Sequence, residues 1–126
     1  MILSNKTILL VEDDTVLARM YRRGIEISGG NVIVAEDGEQ ALSTLKTEKV
    51  DAVLLDLMMP KVNGYEVFKR MKDDEKMKSI PVIVLTNLDE HPEYIERVTG
   101  TTAEEYLVKS NVSVDEVIKK IAQHVG

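Results

Sequence analysis

Residues 8–14 read Ile8-Leu9-Leu10-Val11-Glu12-Asp13-Asp14, four apolar residues followed directly by three acids. The apolar residues do not alternate with polar ones, which is typical of an inner strand of a parallel sheet covered by helices on both faces. Similar runs occupy residues 52–55, 82–85 and 106–108, and a weaker one occupies residues 32–35. The chain is therefore predicted to contain five parallel strands.

Helices are predicted between these runs, because the apolar residues there recur at helical spacing. Residues 63–66 and 113–116 each fit a capping box, in which the first side chain and a later glutamate bind free amides at a helix start. Asp14 is expected to cap the first helix. The sequence thus predicts a helix after each strand.

The fourth helix is expected to carry Pro92 in its first turn, with Ile95 and Val98 turned toward the core. Strands are expected near residues 6–12, 31–36, 51–56, 81–86 and 104–109. Right-handed crossovers make this (βα)5 pattern a doubly wound, three-layer α/β sandwich.

The length and composition of the chain exclude several classes of function. The chain has 126 residues, a formal net charge of −6 and no cysteine. This length suits one domain, so we expect residues 1–126 to be a single domain with no output domain in this chain. The absence of cysteine excludes disulfides and thiol nucleophiles and favours the cytoplasm. The chain shows neither a basic block for direct nucleic-acid binding nor an apolar segment of about 18 residues for membrane insertion.

Polar side chains stand at the carboxyl ends of four runs, where open α/β sheets bind ligands. They are Glu12 and Asp13, then Asp56, Thr86 and Lys109. Three carboxylates at one sheet edge repel each other unless a cation lies between them, and an oxygen-only ligand set favours Mg²⁺. Lys109 could be an ordinary surface lysine, but at this position its ammonium could neutralise a carboxylate or hold a phosphoryl group. Thr86 could be simply a β-branched strand residue.

Four segments of the chain resemble the signature segments of the response-regulator receiver domain. These segments are residues 9–14, residues 54–60 with Asn63-Gly64, Leu85-Thr86, and residues 106–109. Together they extend over nearly the whole chain, in the family's order. The resemblance implies a flavodoxin-like fold with strand order 2-1-3-4-5.

The resemblance also implies a metal and a phosphorylation site. Asp56 matches the family's phosphoacceptor, and Asp13 and Asp56 match its direct Mg²⁺ ligands. The backbone carbonyl of Met58 would complete the protein ligands, with Glu12 acting through a water molecule. Lys109 matches the phosphate-binding lysine.

Two further residues match those that change conformation in the family. Thr86 matches the residue that carries the switch hydroxyl, and Tyr106 matches the aromatic residue that rotates. The implied function is a signalling domain rather than an enzyme, although it assists its own phosphotransfer and dephosphorylation. It would accept a phosphoryl group on Asp56 from a histidine kinase or histidine phosphotransfer protein. Its fourth helix, fifth strand and fifth helix would then bind a downstream protein of unknown identity, or a second copy.

One alternative function remains, a receiver-like protein-interaction module that works without phosphorylation. It is left open by a departure after Lys109, where the family usually has proline and this chain has Ser110. A cis bond before a non-proline residue costs about 3 kcal/mol. A different path is therefore expected for the loop after Lys109.

Overall fold

Strands and helices alternate along the chain in the computed structural model, which describes residues 1–57, 63–86 and 91–125. The five strands are β1 (Thr7–Val11), β2 (Asn31–Ala35), β3 (Ala52–Asp56), β4 (Val82–Thr86) and β5 (Glu105–Val108). The five α-helices are α1 (Thr15–Ile27), α2 (Gly38–Thr47), α3 (Gly64–Asp73), α4 (Pro92–Thr99) and α5 (Val114–Val125). The predicted (βα)5 pattern is confirmed, and each strand end lies within one residue of its predicted position.

The five strands form one parallel sheet in the order β2-β1-β3-β4-β5. This order confirms the predicted topology. The register pairs Val11 with Leu55 and Thr86 with Val108, so neighbouring strands end at nearly the same level. The carboxyl ends of the strands therefore share one edge of the sheet.

Alternate strand residues pack into two separate cores, one on each face of the sheet. On β3, Val53 and Leu55 join the core beneath α2, α3 and α4, whereas Ala52 and Leu54 join the core beneath α1 and α5. Both faces of the inner strands are thus buried, which explains why their sequences are apolar without alternation. Burying a leucine or valine side chain contributes roughly 1.5–3 kcal/mol, so the two cores hold the sheet edge in place.

The expected caps are present at the helix starts. The Asp14 carboxylate accepts hydrogen bonds from the amides of Val16 and Leu17, at 2.9 and 3.1 Å. The Asn63 side chain accepts from the amide of Glu66 at 3.1 Å, but the Glu66 carboxylate binds Arg70 at 3.0 Å, so only the Asn63 half of the predicted capping box is formed. Ser113 and Glu116 bind each other's amides reciprocally, both at 3.1 Å, which completes a capping box.

Helix α4 departs from its predicted orientation at one residue. Pro92 is its first residue and Ile95 is fully buried, as expected, but Val98 is 47% exposed, so the prediction for Val98 is wrong. Positions three and four apart lie on the same side of a helix, and here Thr99, four residues after Ile95, is buried instead. Gly100 ends the helix in the left-handed conformation, with φ of 72°.

The chain after β5 turns at once into a short 3-10 helix, Lys109–Asn111. The peptide bond between Lys109 and Ser110 is trans, as are the other bonds of the described residues. Among the described helices there is none with the length and apolar character that crossing a membrane requires.

Candidate functional site

The edge formed by the carboxyl ends of β1 and β3 carries three carboxylates. Glu12 follows β1 directly, Asp13 comes next, and Asp56 is the last residue of the neighbouring β3. One carboxylate oxygen from each of the three residues lies within 4.8 Å of those of the other two. Glu12 is 1% exposed and Asp56 3% exposed, whereas Asp13 faces solvent. The structure thus forms an acidic cluster that is closed toward the core and open on one side.

Lys109 supplies a cation to this cluster. Its Nζ lies 2.9 Å from Asp56 Oδ2 and 3.2 Å from Glu12 Oε1, and its side chain is 21% exposed. Lys109 directly follows β5, so it reaches across β4 to contact Asp56 and across β4 and β3 to contact Glu12. Burial lowers the pKa of Lys109, but its hydrogen bond with Asp56 and the negative charges of Asp56 and Glu12 outweigh burial and raise that pKa overall. Lys109 therefore remains an ammonium group.

Glu12 is the carboxylate of the cluster whose negative charge is disfavoured. Burial raises its pKa from 4.5 to about 7, with the Asp56 hydrogen bond and charge acting in the same direction. Lys109 and the amide of Asp14, which donates to Glu12 Oε2 at 3.2 Å, act against this rise. The other oxygen, Oε1, is buried and close to Lys109 Nζ, yet it accepts no well-aligned hydrogen bond. A cation beside Glu12 and Asp56 would relieve this crowding of negative charge.

The backbone around Asp56 is held by the start of α3. The amide of Gly64 donates to the carbonyl of Leu57 at 3.0 Å. A Cβ atom at position 64 would collide with the carbonyl oxygen of Asp56 and the Cα of Leu57. Glycine at position 64 therefore allows the start of α3 to pack directly against the backbone that follows Asp56.

Thr86 ends β4 at the same sheet edge and is buried. Its hydroxyl donates to the carbonyl of Leu107 at 3.3 Å, so in this structure it is bonded to the backbone of β5. Tyr106 lies in β5 opposite Val84, and its hydroxyl contacts Ala103 and Glu96. Burial is the main cause that raises the pKa of Tyr106, and the charge of Glu96 adds to it.

The structure therefore brings Glu12, Asp13, Asp56 and Lys109 into one cluster, with Thr86 at its edge and Tyr106 farther along β5. The remaining predicted ligand, the backbone carbonyl of Met58, lies outside the described residues.

Two residues near the site were not anticipated. Tyr21 of α1 is buried within electrostatic range of Glu12, Asp56 and Lys109, and burial raises its pKa.

The second unanticipated residue is Glu96, which binds the Tyr106 hydroxyl. Neither residue had a distinctive signal in the sequence. Tyr21 belongs to the apolar stripe of α1, and Glu96 is one of several charged residues on α4.

Comparisons with known proteins agree with this geometry. The family model described as "Response regulator receiver domain" matches residues 8–122. The polar-differentiation response regulator DivK of Brucella anthropi is 33% identical over 121 residues, which cover 96% of this chain and 97% of DivK. The alkaline phosphatase synthesis transcriptional regulatory protein PhoP of Bacillus subtilis is 38% identical over 107 residues, 83% of this chain but only 42% of PhoP.

A solved structure has the same fold. It is the receiver domain of the sensor histidine kinase PA1611 from Pseudomonas aeruginosa PAO1, described with a magnesium ion coordinated in its active site cleft. The TM-score is 0.85 at 25% identity, and the match covers 98% of this chain and 99% of that domain.

Proposed function

Because the chain belongs to the response-regulator receiver family of two-component signalling, we propose that it accepts a phosphoryl group on Asp56 in a Mg²⁺-dependent reaction. The observation that carries this proposal is the Asp56 carboxylate itself. It ends a buried strand, lies 2.9 Å from the ammonium of Lys109 and shares a cluster with two further acids.

The acidic cluster suits Mg²⁺ as its cofactor. The described donors are all oxygens, one of them a buried Glu12 oxygen without an aligned hydrogen bond, and such a set suits a hard divalent ion. We assign Asp13, Asp56 and the backbone carbonyl of Met58 as direct ligands, with Glu12 acting through water. When bound, the ion would neutralise oxygen charge on the transferred group. The magnesium ion coordinated in the active site cleft of the PA1611 receiver domain supports Mg²⁺ as the metal.

In the proposed transfer, an Asp56 carboxylate oxygen attacks the phosphorus of a phosphohistidine. The new O–P bond forms as the N–P bond breaks, and the imidazole leaves with the N–P electron pair and takes up a proton. The Lys109 ammonium group, which already lies beside Asp56, would then pair with the negatively charged phosphoryl oxygens. The chain's contribution is therefore positioning and charge compensation, the main needs of phosphoryl transfer.

The response to phosphorylation is proposed to involve Thr86 and Tyr106. A phosphoryl group on Asp56 adds acceptor oxygens beside the end of β4, where the Thr86 hydroxyl could exchange its bond to Leu107 for one to phosphate. Movement of Thr86 would give Tyr106 room to turn. The switch would thereby alter the surface formed by α4, β5 and α5.

The signal would pass through protein partners. We propose a histidine kinase or histidine phosphotransfer protein as the donor. The surface formed by α4, β5 and α5 would bind a downstream protein or a second copy, without direct contact with nucleic acid or insertion into a membrane. The cytoplasm is the proposed compartment. On this proposal the chain is a signalling phosphoacceptor and not an enzyme that acts on a separate substrate.

Intact-mass measurement with a small phosphodonor such as acetyl phosphate tests the proposal. With Mg²⁺ the wild-type chain should gain about 80 Da, the mass of one phosphoryl group. Asp56→Asn should gain nothing, whereas Asp73→Asn, the same change at an exposed acid at the end of α3, should gain as much as wild type. Chelation of Mg²⁺ should abolish the gain.

A wild-type chain that gains no mass, or an Asp56→Asn chain that gains as much, would contradict the phosphoacceptor assignment. The first result would favour the module that works without phosphorylation.

A further inference from the structure

The Tyr106 hydroxyl is tied to two segments that precede β5. The backbone amide of Ala103 donates to it at 2.9 Å, and the hydroxyl itself donates to Glu96 Oε2 at 3.2 Å. Glu96 belongs to α4, and Ala103 to the connection between α4 and β5. One side chain of β5 thus links the strand to the helix packed above it.

Tyr106 lies on the same side of the sheet as Thr86. Tyr106 is opposite Val84 in the β4–β5 register, and Val84 and Thr86 are two residues apart, so they face the same side. This is the face covered by α4, where Tyr106 packs against the core that contains Ile95. Tyr106 is therefore a diagonal neighbour of the residue at the edge of the acidic cluster.

Moving Tyr106 would deprive two polar groups of their hydrogen-bond partner. Ala103 is buried, so its amide would lose its acceptor away from water, which is unfavourable. Glu96 would lose the hydroxyl that now donates to its carboxylate. Because the acceptor is charged, that hydrogen bond is expected to be stronger than a neutral one.

We propose that Glu96 is a positioning residue that holds Tyr106 in its present place and so opposes the phosphorylation-linked change of the α4, β5 and α5 surface. The positioning of Tyr106 by Glu96 stands on the contacts in the unmodified chain. Only its effect on signalling rests on the proposed function.

Ring NMR of the unmodified chain tests the positioning directly. The protein has four tyrosines, and the signals of Tyr106 can be assigned by their disappearance in Tyr106→Phe. In Glu96→Ala the ring signals of Tyr106 should shift from their wild-type positions. In Glu96→Gln they should stay closer to wild type, because the glutamine carbonyl can still accept the hydroxyl.

The matched control is Glu93→Gln, which removes one negative charge from the exposed first turn of the same helix. It should leave the Tyr106 signals unchanged. Wild-type signals in Glu96→Ala, equal shifts in Glu93→Gln, or a Glu96→Gln shift as large as that of alanine would each overturn the proposal.

A titration with beryllofluoride, a mimic of the phosphoryl group, tests the effect on signalling in the presence of Mg²⁺. Glu96→Ala should lower the half-saturating concentration about fivefold, because the competent conformer no longer has to break this hydrogen bond. In a Tyr106→Phe background the same substitution should have no effect. An undiminished effect there would show that Glu96 does not act through Tyr106.

The two proposals fail in different ways. If beryllofluoride produces no response even in wild type, the phosphoacceptor function fails, while the ring measurement still decides whether Glu96 positions Tyr106. If wild type responds and Glu96→Ala leaves both measurements unchanged, only the positioning role is wrong.

Discussion

Substituting Glu12 by glutamine should remove a pH-dependent loss of stability in metal-free buffer. The folded chain raises the pKa of Glu12 from 4.5 to about 7, so its charged form is less favourable in the folded state than in the unfolded state. The folded protein therefore binds more protons than the unfolded chain between these values, and stability falls as pH rises through that window. Glutamine has nearly the same shape but does not titrate.

The size of the effect follows from the two pKa values. Integrating the proton linkage for this one group gives a loss of about 2.5 kcal/mol in the wild type between pH 5 and pH 8. The difference in unfolding free energy between Glu12→Gln and wild type should therefore change by about that amount, in favour of the variant at high pH. Saturating Mg²⁺ should shrink the change, because the ion compensates the charge.

Urea unfolding followed by circular dichroism measures this difference. Glu48→Gln is the control, since Glu48 is exposed at the end of α2 and its side chain makes no hydrogen bond or ion pair among the described residues. The difference in unfolding free energy between Glu48→Gln and wild type should stay constant across the same pH range. If the unfolding free energies of wild type and Glu12→Gln change in parallel with pH in metal-free buffer, the prediction is refuted. Glu12 would then have the same pKa in the folded and the unfolded state.

Three further substitutions test the site and the fold. Lys109→Met removes the ammonium 2.9 Å from Asp56 and should slow phosphorylation by a small donor about a hundredfold in a mass-resolved time course; a rate within a few-fold of wild type would contradict its role. Leu54→Ala, in the fully buried β3, should cost about 3 kcal/mol in urea unfolding, whereas Val16→Ala, at a 65% exposed position, should cost almost nothing. Asp14→Ala removes the α1 cap and should cost about 1 kcal/mol; an unchanged midpoint would show that the cap adds no stability.

The strands and helix starts were predictable because their causes are local. A run such as Val53–Leu55 is apolar on both faces because both faces are covered, and that pattern is visible in the sequence. Ser113 and Glu116 cap a helix through bonds that span three residues. The placement of Glu12, Asp56 and Lys109 at one edge of the sheet followed from the strands being parallel, once polar residues were found at the strand ends.

Other features depend on distances between elements that a one-dimensional pattern does not contain. Val98 was predicted to face the core, but the rotation of α4 over the sheet buries Ile95 and Thr99 instead. Glu96 binds Tyr106 only because α4 packs at a particular height above β5. The bond from the Thr86 hydroxyl to the carbonyl of Leu107 likewise depends on the β4–β5 register.

The reach of Lys109 across β4 has a consequence for synthesis of the chain. The acids come from the first half of the sequence, while the cation that compensates them lies near the carboxyl end, directly after the edge strand β5. During translation, Glu12 and Asp56 emerge long before Lys109, so a nascent chain that docks β1 against β3 brings two carboxylates together without their ammonium. Contacts between such distant segments carry a large loop-closure cost, which slows their formation. Completion of the acidic cluster therefore reports that the last strand has joined the sheet.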